Sequence, residues 1–466
     1  MALTLDSEAL LSGLENGLER AAGRGRRTLV STTAPAEGLD PSAVAFASRL
    51  ASDRWFCWEQ PDRGFALGAI GNAHEAVSRG PERFRDVDRE CLRIAGEAIV
   101  AGADRAPAGA GPLWCGGFAF AGDGGRAPAW SSFAPASMTL PELSLCRRGE
   151  DLYLTLNAVL AAGEDPAGAL TRVERRLAAL REEPLPMLGP QRGGAPEIRS
   201  TRSPGDFERA VSAAVARIEA GGIEKVVLAR EVVVTAASAY DPAPVFGALR
   251  ELFPACFCFC CGTAEGAFLG ASPELLLRRA GASLSTVALA GSTRRSSDPS
   301  VDDHLGEQLL RSEKDRHEHE IVARRIVRAL RRHAVWVEAA AEPSIVKVAN
   351  IQHLATPIVA QLAEPRSTVE LAGALHPTPA VGGDPWPRAA EEIAELEHLD
   401  RGWYAGPVGW MDASEDGEFC VAVRSALLRD RTAHLFAGGG IVAGSDPAAE
   451  LAETEVKLEA LLPLLS

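Results

Sequence analysis

Apolar residues recur at a clear helical spacing between residues 203 and 222. The predicted buried stripe consists of Phe207, Val211, Ala214, Val215 and Ile218, which fall on one face of a 3.6-residue repeat. Ser203 before Pro204 is typical of a helix start, and Gly221-Gly222 is typical of a helix end. The pattern therefore predicts an amphipathic helix over this stretch.

The stretch that follows predicts strands. Residues 225–234 are apolar on both faces, which indicates a strand inside a sheet, although the lysine at its start, Lys225, would normally be solvated at an edge. Residues 267–277 predict another strand, interrupted at Ser272-Pro273. Glu274 then lies between apolar neighbours, either turned outward at a bulge or held in a dry site with a raised pKa.

Further strand patterns follow toward the C-terminus. They cover residues 283–290, ending at a polar turn from Gly291 to Arg295; residues 403–410 and 418–427, as a hairpin-like pair; and residues 432–442, which contain Gly438-Gly439-Gly440. Residues 376–383, between these strands, predict a rigid loop rich in proline and glycine.

A charged block, residues 312–320, lies inside a long helical pattern whose apolar positions run from Leu305 to Leu330. Helical spacing places Asp315 and Glu318 on one face of this helix. The block interrupts the apolar stripe, so its acidic side chains are available for another role.

A second helix is predicted after Asp446-Pro447, and in it Glu450 and Glu453 share a face with Lys457. Two helices that each offer carboxylates three residues apart could close on one Mg²⁺ ion, which prefers oxygen ligands and keeps several waters. Solvated helix faces are the alternative interpretation of the same pattern.

The N-terminal residues predict mixed helices and strands without a catalytic cluster. Strand patterns cover residues 54–70, 111–122 and 152–159, and a helical pattern covers 166–180. Residues 182–197 contain four prolines and three glycines, which favours a linker or crossover. We therefore expect an N-terminal α+β region, residues 1–195, that contributes to the same body as a C-terminal region, residues 200–466.

Composition narrows the class of protein. The chain has 466 residues, 46% of them hydrophobic and 24% charged, as in globular proteins that fold around a large core. A net charge of -15 argues against nucleic-acid and anionic-membrane partners. The chain shows no signal-peptide pattern and no long apolar run, so we expect a cytoplasmic protein. Nothing in the sequence fixes the oligomeric state, and a monomer is plausible.

The nine cysteines predict neither a disulfide framework nor a zinc site. Their number is odd and they are scattered through a long chain. The one cluster, residues 256–261, alternates at the period of a strand and lacks paired C-x2-C knuckles, so a buried strand is the better interpretation.

Nine stretches of the C-terminal region occur in the order found in the chorismate-utilising enzymes. They are Lys225–Arg230, Gly270–Glu274, Leu289–Ser292, Lys314–His319, His376–Val381, Arg401–Trp410, Val421–Arg424, Ala437–Val442 and Glu450–Lys457. Each is weak alone, but nine in order are specific. The chain therefore resembles that family, the anthranilate synthase component I-like enzymes, and most of all its isochorismate synthase branch; Leu113–Phe118 is similar to the family as well.

The resemblance implies a large α+β fold in which antiparallel sheets pack together with helices outside. It also implies an isomerase that uses Mg²⁺ to convert chorismate reversibly to isochorismate, adding water at C2 while the C4 hydroxyl leaves. The product of such enzymes enters menaquinone or siderophore biosynthesis.

The resemblance also assigns residue roles. Lys225 matches the general base and Glu274 the general acid, while Glu318 and Glu453 match the Mg²⁺ ligands, with Glu450 as a further or water-mediated ligand. Substrate contacts match Gly291, Ser292, Tyr404, Arg424, Gly438, Gly440 and Lys457, together with the loop position Ala380. These assignments fit the chemistry, since water addition at one carbon and hydroxyl loss at another need a base and an acid.

Alternatives within the family depend on two residues. The aminating enzymes and the salicylate synthases typically carry Thr where this chain has Ala380, which favours isochorismate synthase. Tyr404 is ambiguous, because salicylate synthases also carry Tyr there. Salicylate formation with loss of pyruvate is therefore the alternative activity, followed by an aminating enzyme.

Two interpretations lie outside this chemistry. A zinc hydrolase would use His317, His319 and either His353 or His376, but side chains two residues apart point to different faces of a helix. A chorismate-binding relative without catalysis is disfavoured, because both predicted proton-transfer residues and the predicted metal carboxylates are present.

Overall fold

The computed structural model describes residues 7–102, 106–189, 194–348 and 350–466. Its helices are α1 Ser7–Ala22, α2 Pro41–Ser48, α3 Arg83–Ala95, α4 Pro166–Ala178, α5 Pro204–Glu219, α6 Pro242–Leu252, α7 Pro299–Arg311, α8 Glu313–Leu330, α9 Thr368–Leu375, α10 Arg388–Glu397, α11 Pro447–Leu458 and α12 Leu462–Leu465.

The strands divide between two sheets. They are β1 Thr28–Ala36, β2 Trp55–Gln60, β3 Phe65–Ile70, β4 His74–Ser78, β5 Ile99–Ala101, β6 Leu113–Phe118, β7 Ala136–Leu140, β8 Leu143–Arg148, β9 Asp151–Leu160, β10 Glu197–Ser200, β11 Lys225–Thr235, β12 Phe257–Gly262, β13 Ala267–Ser272, β14 Leu275–Ala280, β15 Ser283–Arg294, β16 Ala334–Ala339, β17 Ser344–Lys347, β18 Ile351–Leu362, β19 Gly383–Asp384, β20 Pro407–Asp412, β21 Gly417–Val421, β22 Ser425–Arg429 and β23 Thr432–Ile441.

The larger sheet has 13 strands, in the order β10-β11-β23-β22-β13-β12-β2-β3-β8-β9-β1-β5, with β19 beside β11. The second sheet has ten, in the order β16-β18-β15-β14-β21-β20-β6-β7-β4, with β17 beside β18. Apart from the parallel pairing of β1 with β5, the pairs are antiparallel. The prediction of an α+β fold with antiparallel sheets is confirmed.

Each sheet contains strands from both halves of the chain. In the larger sheet β12 pairs with β2, and in the second sheet β20 pairs with β6. The inner faces of the two sheets share one core, in which the rings of Phe65 and Trp410 lie 5.6 Å apart. The outer face of the larger sheet packs against α1, α2, α4 and α6 in a second apolar cluster, and α8 packs Val322 and Ile326 against the second sheet.

Two of the places where the chain passes from one sheet to the other are neighbours in space. Pro273 and Glu274 connect β13 of the larger sheet to β14 of the second sheet, and residues 422–424 connect β21 back to β22. The two crossovers are joined by backbone hydrogen bonds from Ala271 to Arg424 (3.1 Å) and from Val421 to Glu274 (3.0 Å). This arrangement brings Glu274 and Arg424 to one point between the sheets.

Several predicted elements are confirmed. Helix α5 begins with a capping box between Ser203 and Asp206, and residues 257–262 of the cysteine cluster form the buried strand β12. The nine cysteines are free and buried. Residues 190–193 of the predicted linker lie outside the described residues, and residues 182–189 contain no helix or strand. No helix in the described ranges has the length and apolar composition to cross a membrane.

The predicted long helix is wrong in one respect, because it is two helices. The chain is extended at Ser312 (φ -67°, ψ 114°), which ends α7 and caps α8 by accepting a hydrogen bond from the Asp315 amide. Apolar periodicity continues across such a break, so it gave no sign of the cap.

Two strand predictions are also corrected. The polar residues from Gly291 to Arg294 form no turn but continue β15, with a bulge where Gly291 adopts φ 74°. The predicted strand over 418–427 is two strands, β21 and β22, separated by Arg424 at φ 50°. In both places a local left-handed residue redirects the strand, which alternation of apolar residues does not reveal.

Candidate active site

A small cavity of about 90 Å³ lies where the two crossovers meet β15, β23 and the helices α8 and α11. The predicted site residues that line it are Glu274, Gly291, Ser292, Glu318, Ala380, Tyr404, Arg424, Gly438, Gly440, Glu453 and Lys457. Lys225 and Glu450 are close by but do not line it. A larger cavity of about 810 Å³ lies elsewhere. The residues predicted for catalysis, substrate and metal line the small cavity or lie close to it.

Lys225 is fully buried, so the expectation of a solvated edge lysine is wrong. Strand β11 has β23 on one side and β19 on the other, where Lys225 pairs with Asp384. Its Nζ lies 2.8 Å from Glu318 Oε1, but no described acceptor meets hydrogen-bond geometry to that ammonium. The contact is an ion pair with poor hydrogen-bond angles. Because Glu318 lines the cavity and Lys225 does not, Glu318 lies between Lys225 and the cavity.

Gly440 of β23 makes room for this pair. A Cβ at Gly440 would lie 2.1 Å from Glu318 Oε1 and 2.9 Å from Lys225 Cε. Gly440 faces Val227, whose amide donates away from β23 to Gly382. In an antiparallel pair this register turns the Gly440 and Gly438 amides away from β11, and β22 pairs with β23 only as far as Leu435.

Glu274 lies at the first crossover and is 6% exposed. Its amide donates to Ser272 Oγ (3.1 Å), and the hydroxyl of Ser272 donates to the Val421 carbonyl (2.6 Å). Burial raises the pKa of Glu274 to about 7, although Lys225 and a 3.5 Å hydrogen bond from Thr378 oppose that rise. The carboxyl is therefore largely protonated at mildly acid pH and can donate a proton near neutrality.

Arg424 enters the cavity from the second crossover. Its Nη2 donates to His353 Nε2 at 2.7 Å, whereas its buried Nη1 has no partner among the described residues. Burial and the neighbouring Arg424 charge hold the pKa of His353 well below its usual value, so the imidazole is neutral and accepts this bond. The free edge of the guanidinium suits a carboxylate.

Lys457 and Glu453 form an ion pair of 2.8 Å along one face of α11. Lys457 Nζ also donates to the Gly438 carbonyl (2.8 Å), and Ser292 Oγ donates to Glu453 Oε1 (2.7 Å). Burial raises the pKa of Glu453, but Lys457 and Ser292 lower it by more than burial raises it, so the net shift is downward. Glu453 is therefore an anion.

Glu450 lies one turn before Glu453, as predicted, and is 2% exposed. Its Oε1 accepts from Lys314 Nζ at 2.8 Å. Burial and the charge of Glu453 raise the pKa of Glu450, and Lys314 opposes this. Asp315 forms a short hydrogen bond with Ser312 at the start of α8, so it serves the helix cap and not the cavity.

Tyr404 and Ala380 complete the wall. The ring of Tyr404 stacks on Phe436 with centroids 5.1 Å apart, and burial raises the pKa of its phenol. Ala380 contributes a methyl group where a larger side chain would enter the cavity.

The carboxylates present a donor set that fits Mg²⁺. Glu318 and Glu453 both line the cavity and offer hard oxygen atoms. After burial, their charges are what raises the pKa of Asp315, so negative charge accumulates at this end of the site. Within the described ranges no group of three or more acidic, histidine or cysteine side chains is placed to hold a metal, but Mg²⁺ often binds one or two carboxylates plus substrate.

Three of the four histidines of the zinc alternative have other partners. His319 contacts the Ala290 carbonyl and Thr356, His353 accepts from Arg424, and His376 donates to the Phe120 carbonyl at 2.9 Å. Nothing in their arrangement supports a hydrolytic zinc site.

The sequence interpretation missed three residues that touch the site. His353 orients Arg424, Thr378 donates to Glu274, and Lys314 neutralises Glu450. Thr378 lies between Pro377 and Pro379 in a loop already marked as rigid, and that was a usable signal. His353 lies inside β18, where nothing in the local pattern indicates its partner.

The profile of the family described as "Chorismate binding enzyme" matches residues 16–466. The chain belongs to that family. The resemblance drawn from the nine stretches is thereby confirmed.

Relatives along the whole chain point to one branch. The "Salicylate biosynthesis isochorismate synthase" of Pseudomonas aeruginosa is 37% identical over 98% of this chain and 95% of its own length. The "Isochorismate synthase MenF" of Bacillus subtilis is 33% identical over 97% and 96%. The solved MenF of Escherichia coli, titled a menaquinone-specific isochorismate synthase, has a TM-score of 0.80 at 27% identity and covers 97% of this chain and 100% of that one.

Proposed function

We propose that this protein is an isochorismate synthase, which converts chorismate reversibly to isochorismate. The observation that carries the proposal is the position of Glu274, a buried carboxyl with a pKa of about 7 that faces a cavity containing an unpartnered arginine edge. The isochorismate synthases among its full-length relatives support the same branch.

In the proposed reaction, water adds to C2 of the ring, both ring double bonds shift by one position (C1–C2 to C1–C6 and C5–C6 to C4–C5), and the C4 hydroxyl leaves. Lys225 accepts the proton of the attacking water, and Glu274 donates a proton to the departing hydroxyl, so one water enters and one leaves. Lys225 can do this only as a neutral amine, and its contact with Glu318 must open before Nζ faces the cavity.

The substrate carries two carboxylates, for which the cavity offers cationic partners. Arg424 Nη1 is free to donate to one of them, and Lys457 and the amides of Gly438 and Gly440 lie on the neighbouring wall. Gly291 and Ser292 at the bulge of β15, together with Tyr404 and Ala380, shape the space for the ring.

We propose Mg²⁺ as cofactor, held by Glu318 and Glu453, with Glu450 as a further or water-mediated ligand. Bound there, the ion would supply positive charge that offsets a substrate carboxylate. Glu318 and Glu453 are the stronger candidates, because both line the cavity and Glu450 does not.

The second candidate function is salicylate formation, in which pyruvate is eliminated from isochorismate. It is favoured by one observation, the phenol of Tyr404 in the cavity wall, and opposed by Ala380. The Pseudomonas aeruginosa relative is named as an isochorismate synthase of salicylate biosynthesis, and that name supports isomerisation.

The test is incubation of the purified protein with chorismate, with and without Mg²⁺, followed by chromatography of the products. Isochorismate that accumulates to an equilibrium, without pyruvate and without ammonia, is the expected result. Salicylate with pyruvate would favour the second candidate, and unchanged chorismate would overturn both.

Three broader predictions accompany the proposal. The protein acts in the cytoplasm, without nucleic-acid or membrane partners, and a monomer remains plausible. Its product enters menaquinone or siderophore biosynthesis. The division into residues 1–195 and 200–466 likewise stays a prediction.

A further inference from the structure

A cavity of about 810 Å³ lies apart from the catalytic cavity. Its wall is built from residues 80–84 at the start of α3, residues 120–126 after β6, and parts of the segment 373–402. Its size falls within the range of small-molecule sites, roughly 300–1,000 Å³. None of the residues assigned above to proton transfer, substrate or metal lines it.

Arg83 places a buried positive charge in this wall, and Asp123 attracts it without forming an ion pair with it. Its side chain is buried, and Nη2 donates to the carbonyls of Ala119 (3.0 Å) and Phe120 (3.4 Å). Its buried Nε has no hydrogen-bond partner in the described chain, nor does any described carboxylate lie within ion-pair distance of the guanidinium. Burial lowers the pKa of Arg83 to about 10, so the group is still a cation at neutral pH.

The acidic residues of the same wall are committed to other partners. Asp400 accepts from the amides of Gly125 (2.8 Å) and Ala127 (2.7 Å), Glu397 pairs with Arg401 (2.6 Å), and Asp123 pairs with Arg126 (2.9 Å). A buried cation without an ion-pair partner is costly, and an anionic ligand beside it would lower that cost.

The rest of the wall is apolar and aromatic. The rings of Phe120 and Trp386 meet edge to face with centroids 6.0 Å apart, and Phe84 lies beneath the Arg83 guanidinium at 4.7 Å. His376 adds no charge, because burial lowers its pKa to about 3. The cavity thus combines one arginine without an ion-pair partner, Arg83, and two paired arginines with flat apolar surfaces.

We propose that this cavity is a binding site for a small aromatic carboxylate, with the Arg83 guanidinium attracting the carboxylate and the ring against Phe120 and Trp386. The site is separate from the catalytic cavity. The loop over residues 376–380 divides the two, since Pro377 lines the larger cavity while Ala380 lines the catalytic one.

The test is titration calorimetry of the full-length protein with 2-naphthoate and with its neutral analogue 2-naphthamide. Wild-type protein should bind the carboxylate at least about tenfold more tightly than the amide, because the Arg83 guanidinium attracts the charge that only the former carries. Arg83→Gln should abolish that preference, whereas the matched variant Arg424→Gln, which removes the guanidinium of the catalytic cavity, should leave it unchanged.

A preference that survives Arg83→Gln but disappears in Arg424→Gln would place the ligand in the catalytic cavity and overturn the proposal. So would equal affinity for acid and amide in the wild type, or no binding at millimolar ligand. Trp386→Leu provides a test independent of Arg83 folding, since it should weaken both ligands several-fold by removing ring contact. Unchanged affinities in that variant would also contradict the assignment.

Discussion

Glu274 and Lys225 occupy opposite electrostatic settings although both are buried beside one cavity. Glu274 stands at a crossover without a cationic partner in hydrogen-bond contact, and burial alone raises its pKa to about 7. Lys225 begins a strand and lies 2.8 Å from a carboxylate that separates it from the cavity. Burial in the fold therefore keeps Glu274, the proposed acid, protonated near neutral pH. Lys225, the proposed base, can reach the cavity only after Glu318 moves away from it.

The base side should give the largest effect. Lys225→Ala should lower kcat by about 10²–10⁴-fold, the range typical of removing a general base, while chorismate still binds. The measurement is steady-state turnover, with calorimetric binding as a second readout.

The matched control is Lys314→Ala, which breaks an equally short lysine–glutamate pair outside the cavity and should change kcat by less than about tenfold. Turnover retained in the Lys225 variant would remove that residue from the base role.

The acid side should be recognisable by pH. Raising the pH through about 7 removes the proton from Glu274, so kcat/KM of the wild type should fall on the alkaline side of that value. Glu274→Gln should lower kcat/KM by roughly 10²-fold or more at pH 6 and lose this alkaline limb. A pH profile that keeps the limb in the variant would assign it to another group.

The room for the side chains of Lys225 and Glu318 depends on the absence of a side chain at Gly440. Gly440→Ala places a Cβ 2.1 Å from Glu318 Oε1, so Glu318 and Lys225 must shift, and kcat/KM should fall by about 10²-fold. Its neighbour provides the contrast, because a Cβ at Gly439 meets Glu450 Oε2 at 3.0 Å, away from the cavity. Equal losses in Gly439→Ala and Gly440→Ala would contradict this account of the wall.

The metal prediction separates two glutamates that share the acidic end of the site. Glu318→Gln should raise the Mg²⁺ concentration needed for half-maximal activity by roughly tenfold or more, because Glu318 lines the cavity. Glu450→Gln should shift the Mg²⁺ titration less, since Glu450 does not line the cavity. An unchanged titration in Glu318→Gln would overturn its role as a ligand.

Thr378 should have the smallest effect. Its 3.5 Å hydrogen bond lowers the pKa of Glu274, so Thr378→Val should move the alkaline limb of the pH profile to higher pH and change the maximal rate little. A shift toward lower pH would mean that the hydroxyl stabilises the protonated carboxyl instead.

Some features of the fold and of the site could be predicted from the sequence, and others could not. Apolar periodicity predicted α5, β11 and β12, because burial of one or both faces follows from the residues themselves. The same periodicity wrongly predicted one helix for α7 and α8 and one strand across Arg424. A helix cap or a left-handed residue depends on the backbone conformation of a single residue, which does not change the spacing of apolar positions. The sequence motifs predicted that Glu274 and Lys225 belong to one site. The local sequence gives no sign that Glu318 lies between Lys225 and the cavity, or that His353 accepts a hydrogen bond from Arg424.

The most direct test of the account is turnover of chorismate in H₂¹⁸O. Addition of water at C2 with loss of the C4 hydroxyl predicts one ¹⁸O atom at C2 in the isochorismate formed in the first turnovers. Unlabelled isochorismate would show that the hydroxyl group migrates within the substrate, and neither Lys225 nor Glu274 would then have the role assigned here.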